Sequence, residues 1–145
     1  MHEHDTPQYH PISMLPTIRD LIDGGLEDIT SALTNIKAVH GREHGTLDDH
    51  TAKRFVRLFA DGLEFVPFHT EQLARWQKTK LTDTQRKEVT RLQGQLGPLK
   101  AALTEGLAIA DEMTERTIEM VMGKSDLELG LEALLRAAST TPHRK

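Results

Sequence analysis

The sequence contains no cysteine, which excludes disulfide bonds, thiolate metal sites and cysteine nucleophiles together. Aromatic residues make up only 4% of the chain, while leucine, alanine and glutamate are plentiful. That balance favours helices over a β-sandwich or a β-barrel. No run of about 18 apolar residues occurs, so we expect no membrane span. The N-terminus lacks a charged region followed by an apolar core, and the expected location is therefore cytoplasmic.

Chain length and net charge set only broad limits on function. The 145 residues fit one domain of ordinary size. The formal net charge is −4, and this mild acidity does not favour wholesale binding to nucleic acid. We expect a flexible N-terminal arm over residues 1–14, a single helical-bundle domain over 15–139 and a flexible tail over 140–145.

Apolar residues recur in alternating steps of three and four along most of the chain. This spacing is typical of helices that pack together in bundles. The sequence therefore predicts an all-α fold, an antiparallel helical bundle with short connections. Three long helices are expected at about 16–40, 47–79 and 82–122, with a short C-terminal helix at about 126–138.

Local signals mark the ends of these helices. Thr82 and Gln85 have the spacing of a capping box at the start of the third helix. Thr46 is the predicted N-cap of the second helix. Gly41 follows the last apolar position of the first helix, and we expect it to end that helix in a left-handed conformation.

Small and helix-breaking residues fall at one level of the predicted bundle. The apolar phase continues through Pro67 in the second helix and through Gly97–Pro98 in the third, so both helices should bend there and continue. Short turns would bring these positions near Gly62 and Gly24–Gly25. The simplest interpretation is close helix packing with a shared bend. The alternative is a hinge or a slot for a ligand.

The tip of the second helical hairpin, residues 70–92, carries the main predicted interaction surface. The first helix is predicted to be too short to cover this tip, which leaves an apolar stripe there without a third helix. The tip is also basic, which suits an acidic protein partner or a second copy of the chain. We expect a homodimer. Nucleic acid is a weaker alternative, because the tip has a single aromatic residue. The predicted contact residues are Leu73, Arg75, Trp76, Lys78, Lys80, Leu81, Arg86, Val89 and Leu92.

A histidine-rich stretch, AVHGREHGTLDDH, joins the first two helices. It contains the pattern H-x-x-E-H of inverted zinc peptidases, which needs both histidines on one helical face. Glycines at positions 41 and 45 break that helix, so a polar turn is the favoured interpretation. A looser divalent-metal site remains an alternative, with imidazole and carboxylate ligands. Its candidate ligands are His40, His44, His50, Glu115 and Glu119, and Glu112 also approaches this turn.

His69 lies in the inward phase of the second helix, close after Pro67. The simplest interpretation is a packed histidine bonded to a polar neighbour, and the alternative is a ligand-binding or pH-sensitive site. No catalytic residues and no cofactor are predicted. We expect a non-enzymatic bundle that acts through self-association and protein binding. A metal- or ligand-binding bundle and a nucleic-acid accessory protein are the alternatives.

Overall fold

The computed structural model describes residues 9–42, 47–122, 131 and 133–136. Three long helices dominate it: α1 is Leu15–His40, α2 is Asp49–Gln77 and α3 is Asp83–Met122. No strand occurs in this described part of the chain. Residues 131 and 133–136 are also helical, where the short C-terminal helix is predicted. The predicted all-α bundle is thus confirmed, with helix bounds close to those expected.

The helix ends follow from capping chemistry, with two corrections to the sequence-based expectations. The capping box is present. The backbone N–H of Gln85 donates to the Thr82 hydroxyl at 3.1 Å, and the side-chain Oε1 of Gln85 accepts from the backbone N–H of Thr82 at 2.9 Å. The N-cap of α2 is Asp48, whose carboxylate accepts from the Thr51 N–H at 2.8 Å. Thr46 lies outside the described residues. Gly41 ends α1 with a φ of −77°, so the predicted left-handed conformation is wrong.

Both internal prolines lie within continuous helices. Pro67 is inside α2 and Pro98 is inside α3. The helix-breaking residues of α2 and α3 fall at the same level, because Pro67 and Gly97 line one surface depression between these two helices. The retained apolar phase therefore predicted correctly that neither proline ends its helix.

The three helices do not contact one another equally. α3 packs along α2 and along α1, whereas α1 and α2 touch at few positions. In a triangular bundle each helix would contact both others. The observed arrangement instead resembles a four-helix bundle in which α1 and α2 are diagonal and α3 fills a corner between them. The fourth corner, between α1 and α2, has no helix in the described part of the chain.

Two apolar clusters form the core. The cluster at the base joins all three helices around Ile36, Phe59, Leu103 and Met113. The other cluster lies at the hairpin tip, where the start of α1 packs against α2 and α3. It contains Leu15, Ile18, Ile22, Leu73, Trp76, Val89, Leu92 and Leu96.

The covered tip differs from the expectation of a bare two-helix tip. α1 has 26 residues and α2 has 29, so at 1.5 Å per residue they are nearly equal, about 39 and 44 Å long. A 3-10 turn at Ile12–Met14 precedes α1 and extends the cover beyond its first residue. The sequence-based prediction made α2 too long and ignored this extension.

Residues 9–14, which the sequence assigns to the flexible arm, lie on the tip and form what we call the N-terminal latch. The buried Gln72 side chain accepts from the His10 N–H at 2.7 Å and donates to the His10 carbonyl at 3.3 Å. Trp76 Nε1–H donates to the same carbonyl at 2.9 Å. The Tyr9 ring stacks on Phe68 with centroids 5.4 Å apart. The latch therefore satisfies two buried polar side chains of α2 with its backbone.

Ion pairs join the outer edges of α1 and α3. Arg91 pairs with Asp23 at 2.7 Å, and Lys37 pairs with Glu105 at 2.6 Å. Asp23 and Lys37 are as far apart along α1 as Arg91 and Glu105 are along α3, so the two parallel helices keep one register. Hydrogen bonding to Arg91 holds the pKa of Asp23 below its ordinary value, and Glu88 is shifted in the same direction by the same guanidinium.

Candidate functional site

A groove runs between α1 and α2 and is floored by α3. Its volume is about 620 Å³. The groove occupies the fourth corner of the bundle, between α1 and α2, which touch at few positions. Its lining residues are His10, Ile18, Leu21, Gly25, Asp28, Ile29, Leu58, Asp61, Gly62, Phe65, Phe68, His69, Leu99 and Leu103.

Large exposed apolar side chains concentrate in this groove. Leu21, Leu58 and Phe65 are 56%, 43% and 60% exposed, and all three line it. Ile118 is the only other large apolar residue of α1–α3 in the described part of the chain that is similarly exposed. Exposed apolar side chains that cluster in one concavity are typical of a binding site.

The signal for these residues is present in the sequence but was missed. Leu58 and Phe65 are seven residues apart, and each immediately precedes a buried residue of the apolar stripe, Phe59 and Val66. Leu21 likewise precedes Ile22. A helix that contacts one neighbour needs two apolar positions in seven, whereas one that contacts two neighbours needs three. The extra position thus indicates a second neighbour for α1 and α2.

Glycines shape the groove in two ways. Gly62 of α2 lies against the Leu103 side chain of α3, with no space for a side chain of its own. This contact brings the floor of the groove close to α2. A Cβ at Gly25 would have no neighbour within 4 Å, so α1 presents an open wall there. Gly25 and Gly62 line the same groove, which agrees with the prediction that these glycines lie at one level of the bundle. The structure therefore combines the close helix packing and the slot that the sequence offered as alternatives.

His69 is the buried polar residue of the groove wall. It is 6% exposed, and its Nδ1 has no hydrogen-bond partner within the described chain. The predicted polar partner is therefore missing at that nitrogen. Phe68 packs edge-on against the imidazole with centroids 5.7 Å apart. Burial lowers the pKa of His69 below its ordinary value, so the neutral imidazole is the favoured form.

The groove continues toward the base of the bundle. A second depression, lined by residues from Thr51 to Asp61 of α2, shares Leu58 and Asp61 with it. The unfilled corner therefore follows α2 from Thr51 to His69, a length of about 27 Å at 1.5 Å per residue. Asp28 and Asp61 stand on opposite walls of the groove, and Arg54 and Arg57 line the second depression, so the corner carries charges of both signs.

The predicted tip residues divide into two groups. Leu73, Trp76, Val89 and Leu92 are buried within the chain itself, at 3% exposure or less, and Leu81 packs beside them. They are covered by the start of α1 and by the latch, so they form no open apolar surface here. A role of the tip in binding a partner stays a prediction that rests on its cations.

Several of those cations have partners inside the chain. Arg75 pairs with Glu71 at 3.2 Å and lies over the Tyr9 ring at 4.1 Å. Arg86 donates to the Gln77 and Thr79 carbonyls, both at 3.2 Å, and so satisfies the end of α2. Lys78 and Lys80 are exposed.

The predicted metal ligands are only partly described. His40 Nε2 lies 3.1 Å from Glu112 Oε2, so Glu112 is a neighbour of His40 on α3. This imidazole contact, together with its charge, lowers the pKa of Glu112 below its ordinary value. His50 is exposed at the start of α2. His44 and the Glu119 side chain lie outside the described part. Within that part, no three metal-binding side chains come together.

No helix in the described ranges is long and apolar enough to cross a membrane. The chain matches no protein-family model, no curated protein and no solved structure.

Proposed function

We propose that this protein is a non-enzymatic interaction module that binds an amphipathic helix of a protein partner in the groove between α1 and α2. The bound helix would take the fourth corner of the bundle and contact both groove walls. This proposal keeps the expected role in protein binding and moves the working surface from the tip to the groove.

The observation that supports the proposal best is the position of the exposed apolar residues. Leu21 lies on one wall of the groove, Leu58 and Phe65 lie on the other, and a helix between them would bury all three. Burying apolar area contributes roughly 25 cal/mol per Å². Amphipathic helices commonly bind such grooves through residues spaced by three and four positions.

The dimensions of the unfilled corner also suit a helix. Its length of about 27 Å corresponds to a helix of about 18 residues. Antiparallel or parallel helices pack with axes about 8–10 Å apart, and α1 and α2 are separated enough to touch at few positions. Asp28 and Asp61 at one end of the corner, and Arg54 and Arg57 at the other, favour a partner helix with charges of both signs beside its apolar face.

A labelled model helix tests the proposal. The probe is a synthetic fluorescein-labelled peptide of about 18 residues, with leucines in alternating steps of three and four and lysines on the flanks. We expect its fluorescence anisotropy to saturate with a dissociation constant in the micromolar range. Phe65→Glu, a change at an exposed position, should weaken binding at least tenfold because it places a charge in the apolar wall.

Ile118→Glu is the matched control. Ile118 is 51% exposed and does not line the groove, so this variant should bind the peptide like the unchanged protein. Equal affinity for the unchanged protein and Phe65→Glu would contradict the proposal. Absence of any anisotropy change up to 1 mM protein would contradict it as well, provided that it is found both for the unchanged protein and for Leu134→Glu/Leu135→Glu, which changes exposed residues outside the groove.

His69 supports a second candidate, binding of a small apolar molecule with one hydroxyl group. The groove volume of about 620 Å³ is in the range of small-molecule sites. His69 Nδ1, which has no hydrogen-bond partner in the described chain, would accept a hydrogen bond from the hydroxyl group. Under this candidate 1-decanol should raise the melting temperature of the unchanged protein and not that of His69→Phe. A shift of equal size in both proteins would exclude it.

A further inference from the structure

We infer that the helix bound in the groove is the C-terminal helical segment of a second copy of this chain. The inference rests on the proposed function and names its partner. Two copies would each place the segment around Leu131, Leu134 and Leu135 in the groove of the other. The result is a two-fold dimer in which each fourth corner is filled by the other copy.

The C-terminal segment carries an apolar face that its own chain leaves uncovered. Leu131, Leu134 and Leu135 are 55%, 68% and 63% exposed, and residues 131 and 133–136 are helical. Positions three and four apart lie on one side of a helix, so these leucines form one stripe. Six of the seven large exposed apolar residues in the described part of the chain are either in this stripe or in the groove.

Shape favours this pairing over direct contact between two grooves. Leu21 and Phe65 stand on the two walls of a concave surface whose floor is α3. Two concave surfaces brought face to face would leave a void between their floors, and protein interiors do not retain voids of that size. A single helix with a leucine stripe fills the concavity.

The length of the connecting chain favours a second copy over the same copy. The contacts of Gly62 with Leu103 and of Phe59 with Gly106 place Leu58 level with position 107 of α3. That level is about 23 Å back from Met122, at 1.5 Å per residue. Crossing to the diagonal corner is a perpendicular step of about 14 Å at usual helix spacings, so the straight-line distance is about 27 Å. Residues 123–130 would have to be almost fully extended to cover this path.

Complementation between two full-length variants tests the inference. Phe65→Glu changes the groove and leaves the C-terminal segment intact. The double variant Leu134→Glu/Leu135→Glu changes the segment and leaves the groove intact. Sedimentation velocity at about 50 µM should show a dimer for the unchanged protein and a monomer for each variant. An equimolar mixture of the two variants should again contain dimer, because one intact groove meets one intact segment.

Each result has a definite consequence. A monomeric unchanged protein would overturn the inference, and so would a double variant that remains dimeric. Circular dichroism on each variant confirms that its helices are retained, and Ile118→Glu should dimerise normally. The model peptide separates this inference from the proposed function. If the unchanged protein is monomeric but binds the peptide, the groove binds a helix and only the identity of that helix is wrong.

Discussion

Phe59 of α2 occupies the space that a side chain at position 106 of α3 would need. Gly106 is buried, and a Cβ built on it would overlap the Phe59 ring. Three residues along each helix, Gly62 and Leu103 repeat the contact with the roles reversed, because there the glycine belongs to α2. This reciprocal packing holds the two helices close together and fixes their register.

Gly106→Ala should destabilise the protein by about 1–3 kcal/mol, because the added methyl group forces the Phe59 ring to move in a packed core. Urea denaturation measures the change. Gly94→Ala in the same helix is the matched control, since a Cβ there meets nothing within 4 Å. It should stabilise the protein by up to about 1 kcal/mol through helix propensity. Equal effects of the two substitutions would show that the close contact with Phe59 is absent.

Stability should fall as the pH is lowered below about 6.5, the ordinary pKa of histidine, in part because of His69. Burial lowers the pKa of His69 in the folded state, so the unfolded chain binds this proton more readily. The contribution of His69 is therefore fully present above pH 6.5 and is lost as the pH falls toward its folded-state value, with a slope of at most about 1.4 kcal/mol per pH unit.

Urea titrations between pH 5 and 8 measure this slope. His69→Gln should flatten it, because this substitution removes the buried imidazole. An unchanged slope in His69→Gln would rule out a titrating imidazole at this position.

Gln72→Ala should release the N-terminal latch. The substitution removes two hydrogen bonds to the His10 backbone and should cost about 1–3 kcal/mol, because buried polar groups lose their partners. Trp76 is the only tryptophan of the chain, and its indole donates to the same carbonyl. Acrylamide quenching of its fluorescence should therefore increase. Gln93→Ala, which removes an amide bonded to Gln77, should leave quenching unchanged. A tryptophan that stays shielded in Gln72→Ala would contradict this account of the latch.

The ion pair of Asp23 with Arg91 should contribute little to stability despite its length of 2.7 Å. Its two side chains are 37% and 44% exposed, and exposed pairs typically contribute about 0.2–1 kcal/mol. A double-mutant cycle with Asp23→Asn and Arg91→Gln should give a coupling energy below about 1 kcal/mol, and 1 M NaCl should reduce it. A coupling above 2 kcal/mol would mean that the pair is far better shielded from solvent than these exposures indicate.

The repeating part of the fold was predictable from sequence. Alternating steps of three and four gave the three helices, and their phase correctly continued through Pro67 and Pro98. The capping box at Thr82 and Gln85 was also predictable, because its two hydrogen bonds are local. The end at Gly41 was not, since glycine permits both backbone conformations and the structure uses the right-handed one.

The groove was harder to predict because it depends on which helices are neighbours. The apolar stripes of α1 and α2 indicate which side of each helix faces inward. They do not indicate that α3 packs along both helices while α1 and α2 touch at few positions. The sequence signal for the groove lies in Leu21, Leu58 and Phe65, because each of them widens the apolar stripe of its helix by one position. The latch was missed for a different reason. Gln72 and Trp76 bind the backbone of residue 10, and backbone groups leave no residue pattern in the sequence.

The parallel pairing of α1 with α3 has a consequence for the order in which the chain folds. Asp23 and Arg91 are separated by 68 residues, whereas α2 and α3 are joined by a short turn. Closing the longer loop costs more conformational entropy, so the α2–α3 hairpin should form first and α1 should join it afterwards. During synthesis α1 leaves the ribosome first. It must wait until α3 has also emerged, because only then does the surface that buries its isoleucines exist.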